Sequence, residues 1–367
     1  MEKINMLREI ILLSSILFSI VSSIGMRKSM SIADTSFISS ISKKDIQQSD
    51  SSILITPASS KTISSSSSSS SLTLYHYVVS HPSLSSSISV SFTEDPSLHS
   101  GGKSVIGSDG LFPFSISNSN NYQSIKDNLI TPKLRWQKTD PLNAICKTQT
   151  KYQEKNLYCV GTGFFVSNDI IMSAAHCFFT NNTFLENPQI FCEQNTATNP
   201  LVFTYGFQVT DIYLPKAFYD SGNQDGGLSD RSYDWCFARV NKNMDDDLQG
   251  YLPLASHYTL ANTYSYAIGF PASESASESS KNWLSYSCGK ETLPQDSVSG
   301  STLYNLTNYC LGGMSGGPLY FEYENEMTFE TFQGVAGILT RTNSSDHHGY
   351  AVKINNAMIN ALEEIQK

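Results

Sequence analysis

Three short stretches of the chain combine residue types that could activate a hydroxyl group. Gly312-Gly313-Met314-Ser315-Gly316-Gly317-Pro318 sets one serine among glycines. A serine hydroxyl is a poor nucleophile until a base removes its proton and nearby N–H groups hold the oxyanion formed on the attacked carbonyl. Glycines on both sides permit a sharp turn that points Ser315 outward and the N–H groups of Gly313 and Ser315 inward. Ser173-Ala174-Ala175-His176-Cys177 follows the apolar Ile170-Ile171-Met172. Its small residues let a tight turn pack closely while the imidazole of His176 faces outward. Tyr233-Asp234-Trp235-Cys236-Phe237-Ala238 places an acid just before an apolar strand. A buried carboxylate there would fix the histidine tautomer and stabilise the imidazolium. Each stretch alone has a plainer reading, as a structural histidine, a Gly-rich loop or a turn residue. Together, in the order His176, Asp234, Ser315, they predict a serine nucleophile with its base and the acid that orients the base.

The elements that must hold these groups read as β structure. From about Ile130, short runs rich in Val, Ile, Phe and Tyr alternate with Gly, Asn, Asp and Pro clusters. Gly163 to Val166, Leu201 to Tyr205, Ser265 to Gly269 and Gly334 to Leu339 are examples, and many short strands between turn signals suggest a sandwich or a barrel. One amphipathic helix is expected at the end, with Ile354, Met358, Leu362 and Ile365 at helical spacing.

Upstream the texture is different. Lys3 and Arg8 precede an apolar run from Ile10 to Val21, followed by small residues at Ser22, Ser23 and Gly25, the pattern of a signal peptide over 1–23. Residues 24–103 include the pure serine run Ser64 to Ser71 and are read as a disordered propeptide or spacer. Export suits the seven cysteines and the sequons at Asn181, Asn305 and Asn343. A secreted or extracellular location follows, with no membrane span once the signal is removed. A net charge of −9 argues against nucleic acid or an anionic membrane as partner. No cofactor or metal is called for, since the adjacent His347 and His348 offer two ligands on a polar loop and two make a poor metal site.

The Ala-Ala-His-Cys turn and the Gly-Met-Ser-Gly-Gly-Pro loop, in this order around Asp234, resemble the trypsin/chymotrypsin superfamily of serine proteases. Ser104-Val105-Ile106-Gly107, Cys159 to Phe164, Gly269-Phe270-Pro271 and Gly349-Tyr350-Ala351-Val352 are similar to its secreted V8-like, glutamyl endopeptidase branch. The resemblance covers about 104–367. It implies an all-β fold of two six-stranded antiparallel barrels, about 130–245 and 250–355, closed by a C-terminal helix over 354–366. It further implies a catalytic triad of His176, Asp234 and Ser315, an oxyanion hole from Gly313 and Ser315, and peptide hydrolysis through an acyl-enzyme by a monomer acting on proteins or peptides. A Cys159–Cys177 disulfide follows from the same likeness, and Cys288–Cys310 is expected as a second because both should border the Ser315 loop, leaving Cys146, Cys192 and Cys236 unassigned, with Cys236 expected as a buried thiol.

Departures from the pattern bear on specificity. Met314 stands where trypsin-like zymogens carry an Asp, so maturation by a cut after Lys103 is expected to work without that switch. Cys310 and Leu339 occupy pocket positions where glutamate-preferring members carry Thr and His, so an apolar or mixed preference is expected. Gly313-Met314-Ser315-Gly316-Gly317 also fits the nucleophile elbow of α/β-hydrolases, but the chain after Ser315 is too short for that fold's acid and histidine. The remaining alternative is a catalytically silent barrel pair that serves as an extracellular binding module.

Overall fold

The computed structural model describes residues 70–92, 141–153, 157–194, 199–222, 231–242, 250–255, 264–273, 281–292, 303–324, 331–342 and 347–367. In chain order the elements begin with β1 (Ser70–Val78) and β2 (Ser86–Phe92), followed by β3 (Ile145–Lys151), β4 (Tyr158–Phe165) and β5 (Ile170–Ser173). Short strands β6 (Phe179–Thr180) and β7 (Thr183–Phe184) precede β8 (Glu186–Gln194), β9 (Phe203–Pro215), helix α1 (Lys216–Ser221) and β10 (Cys236–Val240). The second half holds β11 (Tyr264–Gly269), β12 (Ser285–Thr292), β13 (Leu303–Tyr309), β14 (Pro318–Glu324), β15 (Thr331–Thr342), β16 (His348–Lys353) and helix α2 (Asn356–Ile365).

Both barrels are present. Strands β10-β5-β4-β3-β8-β9 pair in that order, and a β9–β10 ladder returns the sheet to its start. Strands β11-β12-β13-β16-β15-β14 form a closed barrel. The first barrel buries side chains on both faces of its sheet, Ile145, Phe164 and Phe237 on one and Ile171 and Ile190 on the other, and the second buries Ala267, Leu319, Ala336 and Ala351. Helix α2 starts at Asn355, whose side chain accepts the Met358 N–H at 3.0 Å. It buries Met358, Ile359, Leu362 and Ile365, packs against β2, and is tied to the first barrel where Arg239 donates to the Ile365 carbonyl at 2.5 Å. Among the described residues no helix is long and apolar enough to cross a membrane, and no cluster of His, Cys, Asp and Glu could hold a metal ion.

The hairpin β1–β2 lies within the stretch expected to be disordered, and there the structure corrects the sequence reading. Residues 70–78 carry Leu72, Leu74, Tyr75 and Tyr77 among the serines. Leu74 and Val90 are buried, and β1 pairs with β9 over residues 211–215, beyond the part of that edge used by β8. Serine content masked a strand whose partner lies far along the chain. The signal sequence, residues 24–69 and the cut after Lys103 lie outside the described residues.

Candidate active site

Register brings the histidine and the acid together. β5 and β10 run antiparallel with Ser173 opposite Cys236, so Asp234, two residues before β10, falls beside the turn that follows β5. That turn is a 3-10 helix, Ala175–Cys177, preceded by extended Ala174. Ala174 and Ala175 are fully buried, and only side chains this small let the turn sit so close to the barrel. The Asp234 carboxylate accepts the His176 backbone N–H at 2.9 Å through Oδ1 and meets the ring Nδ1 at 2.7 Å through Oδ2. A carboxylate only accepts, so Nδ1 carries the proton and Nε2 of the neutral ring keeps a free lone pair. Asp234 is 2% exposed, whereas a quarter of the His176 side chain still meets solvent. Burial pulls the imidazole pKa down, but the Asp234 charge and hydrogen bond, with help from Cys159, outweigh it against opposition from the Arg341 cation. The net shift is upward.

The serine is held by backbone. Gly313 and Gly316 have φ of 95° and 85°, a region L side chains rarely adopt. A Cβ on Gly313 would lie 2.5 Å from the Phe270 carbonyl and 2.6 Å from the Ala272 nitrogen, and one on Gly316 would overlap the Thr162 carbonyl and the Ser173 hydroxyl. Thr162 of β4 clamps this turn from the first barrel: its N–H donates to the Ser315 carbonyl at 2.7 Å and its hydroxyl to the Gly313 carbonyl at 2.8 Å. The same hydroxyl accepts the Phe270 N–H at 3.0 Å. The Gly312 carbonyl accepts from Ala272 and Ser273, and Gly316 N–H donates to Leu339. The carbonyls of the turn are thereby drawn into the protein, while neither Gly313 N–H nor Ser315 N–H has an acceptor among the described residues.

Ser315 lies next to the histidine turn, its carbonyl 3.7 Å from the Cys177 sulfur. Its hydroxyl donates to the Thr340 carbonyl at 3.1 Å rather than to His176. The structure therefore brings together His176 and Asp234 directly, and sets Ser315 beside them with its hydroxyl turned aside. Thr162, Thr340 and Arg341 carry no local signal in the sequence: Thr162 meets the serine turn only across the two barrels, the Thr340 carbonyl meets Ser315 only once β15 folds beside it, and the Arg341 charge reaches His176 only in the folded domain.

Cys310 and Leu339 are 3% and 2% exposed, and burial pushes the Cys310 thiol up to about 12, so it is neutral. His347 places its carbonyl on the Cys310 N–H at 2.8 Å and its ring edge-on to Tyr309. The bridge found is Cys146–Cys192, not the two pairs expected from the sequence. Cys146 and Cys192 are direct cross-strand partners of β3 and β8, 4.5 Å apart at Cα. Cys159 and Cys177 are thiols in hydrogen-bond contact, which lowers the Cys159 pKa and raises that of Cys177. Cys288 packs against the larger hydrophobic cluster and Cys310 inside the second barrel's own cluster, so they face different interiors. Cys236 is a fully buried thiol, as expected. Of the sequons, Asn181 is exposed in the β6–β7 turn, Asn305 is half-buried in β13, and Asn343 lies outside the described residues.

Residues 161–327 match the family described as the trypsin-like peptidase domain. That match, a little under half of the chain, makes this stretch similar to a trypsin-like peptidase domain. That stretch contains all three residues singled out above. Among solved structures the chain resembles a Glu endopeptidase in complex with MPD, at 16% identity over 65% of this chain and 97% of that one, with a TM-score of 0.47. A thermostable serine protease from an extremophilic microorganism gives 15% identity over 62% and 98% with a TM-score of 0.46, and the protease Anisep from Arthrobacter nicotinovorans 17% over 59% and 93% with 0.44. At scores below 0.5 these likenesses carry no argument, and the peptidase assignment rests on the family match together with the strand order. No curated protein sequence matches the chain.

Proposed function

We propose that this protein is a secreted serine endopeptidase whose triad is His176, Asp234 and Ser315. The observation that carries the reading is the 2.7 Å contact between His176 Nδ1 and Asp234 Oδ2, made beside the turn that holds Ser315. On substrate binding the Ser315 hydroxyl leaves the Thr340 carbonyl, gives its proton to Nε2 of His176, and its oxygen attacks the peptide carbonyl. The oxyanion is held by the N–H groups of Gly313 and Ser315. The tetrahedral intermediate collapses, the amine departs with the proton from His176, and Ser315 keeps the acyl group. Water then gives a proton to His176, attacks the ester and frees the acid, while Ser315 regains its hydrogen. Asp234 keeps the ring in the tautomer this requires.

Cys310 and Leu339, both buried and neutral, support a pocket for apolar or mixed side chains and offer a glutamate carboxylate no cationic partner. Export through residues 1–23, maturation after Lys103 and glycan attachment at Asn181 and the other two sequons complete the proposal. Amino-terminal sequencing of the secreted form tests the maturation step, and the lack of any start within 100–110 would reject it.

One observation favours a silent binding module, namely the Ser315 hydroxyl resting on Thr340 rather than on His176. A serine-directed phosphonate separates the two. Labelling of the processed wild type that disappears in Ser315→Ala establishes the enzyme, and a processed wild type that takes no label establishes the binder.

A further inference from the structure

The hairpin β1–β2 is linked to the histidine turn by aromatic rings. Tyr77 lies flat on Phe184, with centroids 3.8 Å apart and planes 4° off parallel. Tyr75 lies flat on Tyr219 of α1 at 3.9 Å. Phe184 and Tyr219 both meet Phe179, at 4.9 and 5.2 Å. Phe179 is 1% exposed and stands three residues after His176. The strand that carries Phe184 leads into the Leu185 N–H, which donates to the Phe178 carbonyl at 2.8 Å. From the barrel side the same turn is held by the Thr150 hydroxyl on the Cys177 carbonyl at 2.9 Å. The turn has no side-chain cap of its own, so its orientation depends on what packs against it.

The hairpin itself is firmly seated. β1 pairs with β9 at residues 211–215, and His76 stacks on Tyr213 while its Nε2 meets Asp211 at 2.8 Å. Helix α2 packs against β2.

We propose that Tyr75 and Tyr77 are positioning residues for His176, and that the 70–92 hairpin stays docked as a working part of the catalytic domain even when the chain is cut between it and β3. This rests on the protease reading above. The hairpin is then neither a spacer nor a leaving propeptide: a cut after Lys103 yields two chains held together by the β1–β9 ladder and the ring stacks.

Two experiments test this. In the full chain, Tyr77→Ala and the double variant Tyr75→Ala with Tyr77→Ala are compared with Tyr77→Phe, and kcat is expressed per phosphonate-labelled site. The expected result is a kcat per labelled site about tenfold lower in the alanine variants with KM nearly unchanged, since small displacements of a catalytic group are costly. Tyr77→Phe keeps the ring and restores the wild-type value. An alanine variant with fewer labelled sites but unchanged kcat at each would show a merely structural hairpin and overturn the proposal. Independently, a specific protease site is engineered into 93–140 of the full chain. After cutting, the piece bearing 70–92 is expected to co-elute with the catalytic part, and its separation with kcat retained would also overturn the proposal. A wild type that takes no phosphonate removes the protease reading as well, whereas a labelled wild type with unaltered Tyr77→Ala kinetics rejects this inference alone.

Discussion

The two barrels hold their halves of the site in opposite ways. In the second barrel, Ser315 sits in a turn fixed through its backbone, by two left-handed glycines, by bonds from Gly316 to Leu339 and from Gly317 to Met314, and by the Thr162 clamp from the first barrel. In the first barrel, the His176 turn is fixed from a distance. Its acid comes from the approach to β10, and its outer support from an aromatic stack that begins in β1. The difference teaches where each half is fragile. The serine half should fail when the backbone is crowded, and the histidine half when remote side chains or the sheet that carries them are removed.

The largest effect should come from the contact that spans the sheet. Asp234→Asn leaves a group that cannot hold His176 in the required tautomer, and kcat should fall about 10⁴-fold. Kinetics of purified, folded variant check this; a loss of less than tenfold would break the triad assignment. Next comes Gly316→Ala, which adds a methyl where Thr162 and Ser173 already stand. It should destabilise the domain by about 2 kcal/mol or more, in the range of strained backbone and overpacking, read from urea unfolding. If it proves neutral, the serine turn is not the rigid half of the comparison.

Opening the first barrel's bridge with Cys146→Ala and Cys192→Ala should cost about 2–4 kcal/mol, since the linked residues are 46 apart in sequence. A drop in Tm for this double variant, absent from Cys288→Ala, sharpens the contrast between barrels. Smallest is the effect of protons and of Arg341. The folded state raises the His176 pKa above the ordinary 6.5, chiefly because the Asp234 charge overcomes burial. Its contribution to stability is therefore fully present below that ordinary value and lost as pH rises through the raised one. Catalysis needs the neutral ring, so the acidic limb of kcat/KM should lie above 6.5. Arg341→Gln removes a cation that opposes the shift, and the limb should move further toward alkaline pH. Movement the other way would show that Arg341 does not act on the imidazole through its charge.

Much of this was legible locally. Glycines around Ser315 demand φ values other residues resist, and the alanines before His176 mark a closely packed turn. The alternation of short apolar runs announces a sandwich or a barrel. The 354–365 spacing announces the closing helix, which starts at Asn356 and buries Met358, Leu362 and Ile365, while Ile354 is buried just ahead of it. The cysteine pairing was not legible, because a disulfide depends on which strands become neighbours, and only the β3–β8 register sets Cys146 opposite Cys192. Nor was the hairpin. Leu72, Leu74, Tyr75 and Tyr77 are too few among serines to signal a buried strand until β9 supplies the edge they pair with.

What the sequence alone determined is therefore the turns that carry His176 and Ser315, because conformational limits on Gly, Ala and Pro act within a few residues. Only the tertiary structure decided which carbonyl receives the Ser315 hydroxyl, which sulfurs join, and that residues near 75 support a turn near 176. Those are contacts between segments distant in the chain, chosen by the packing and register of sheets rather than by any local preference.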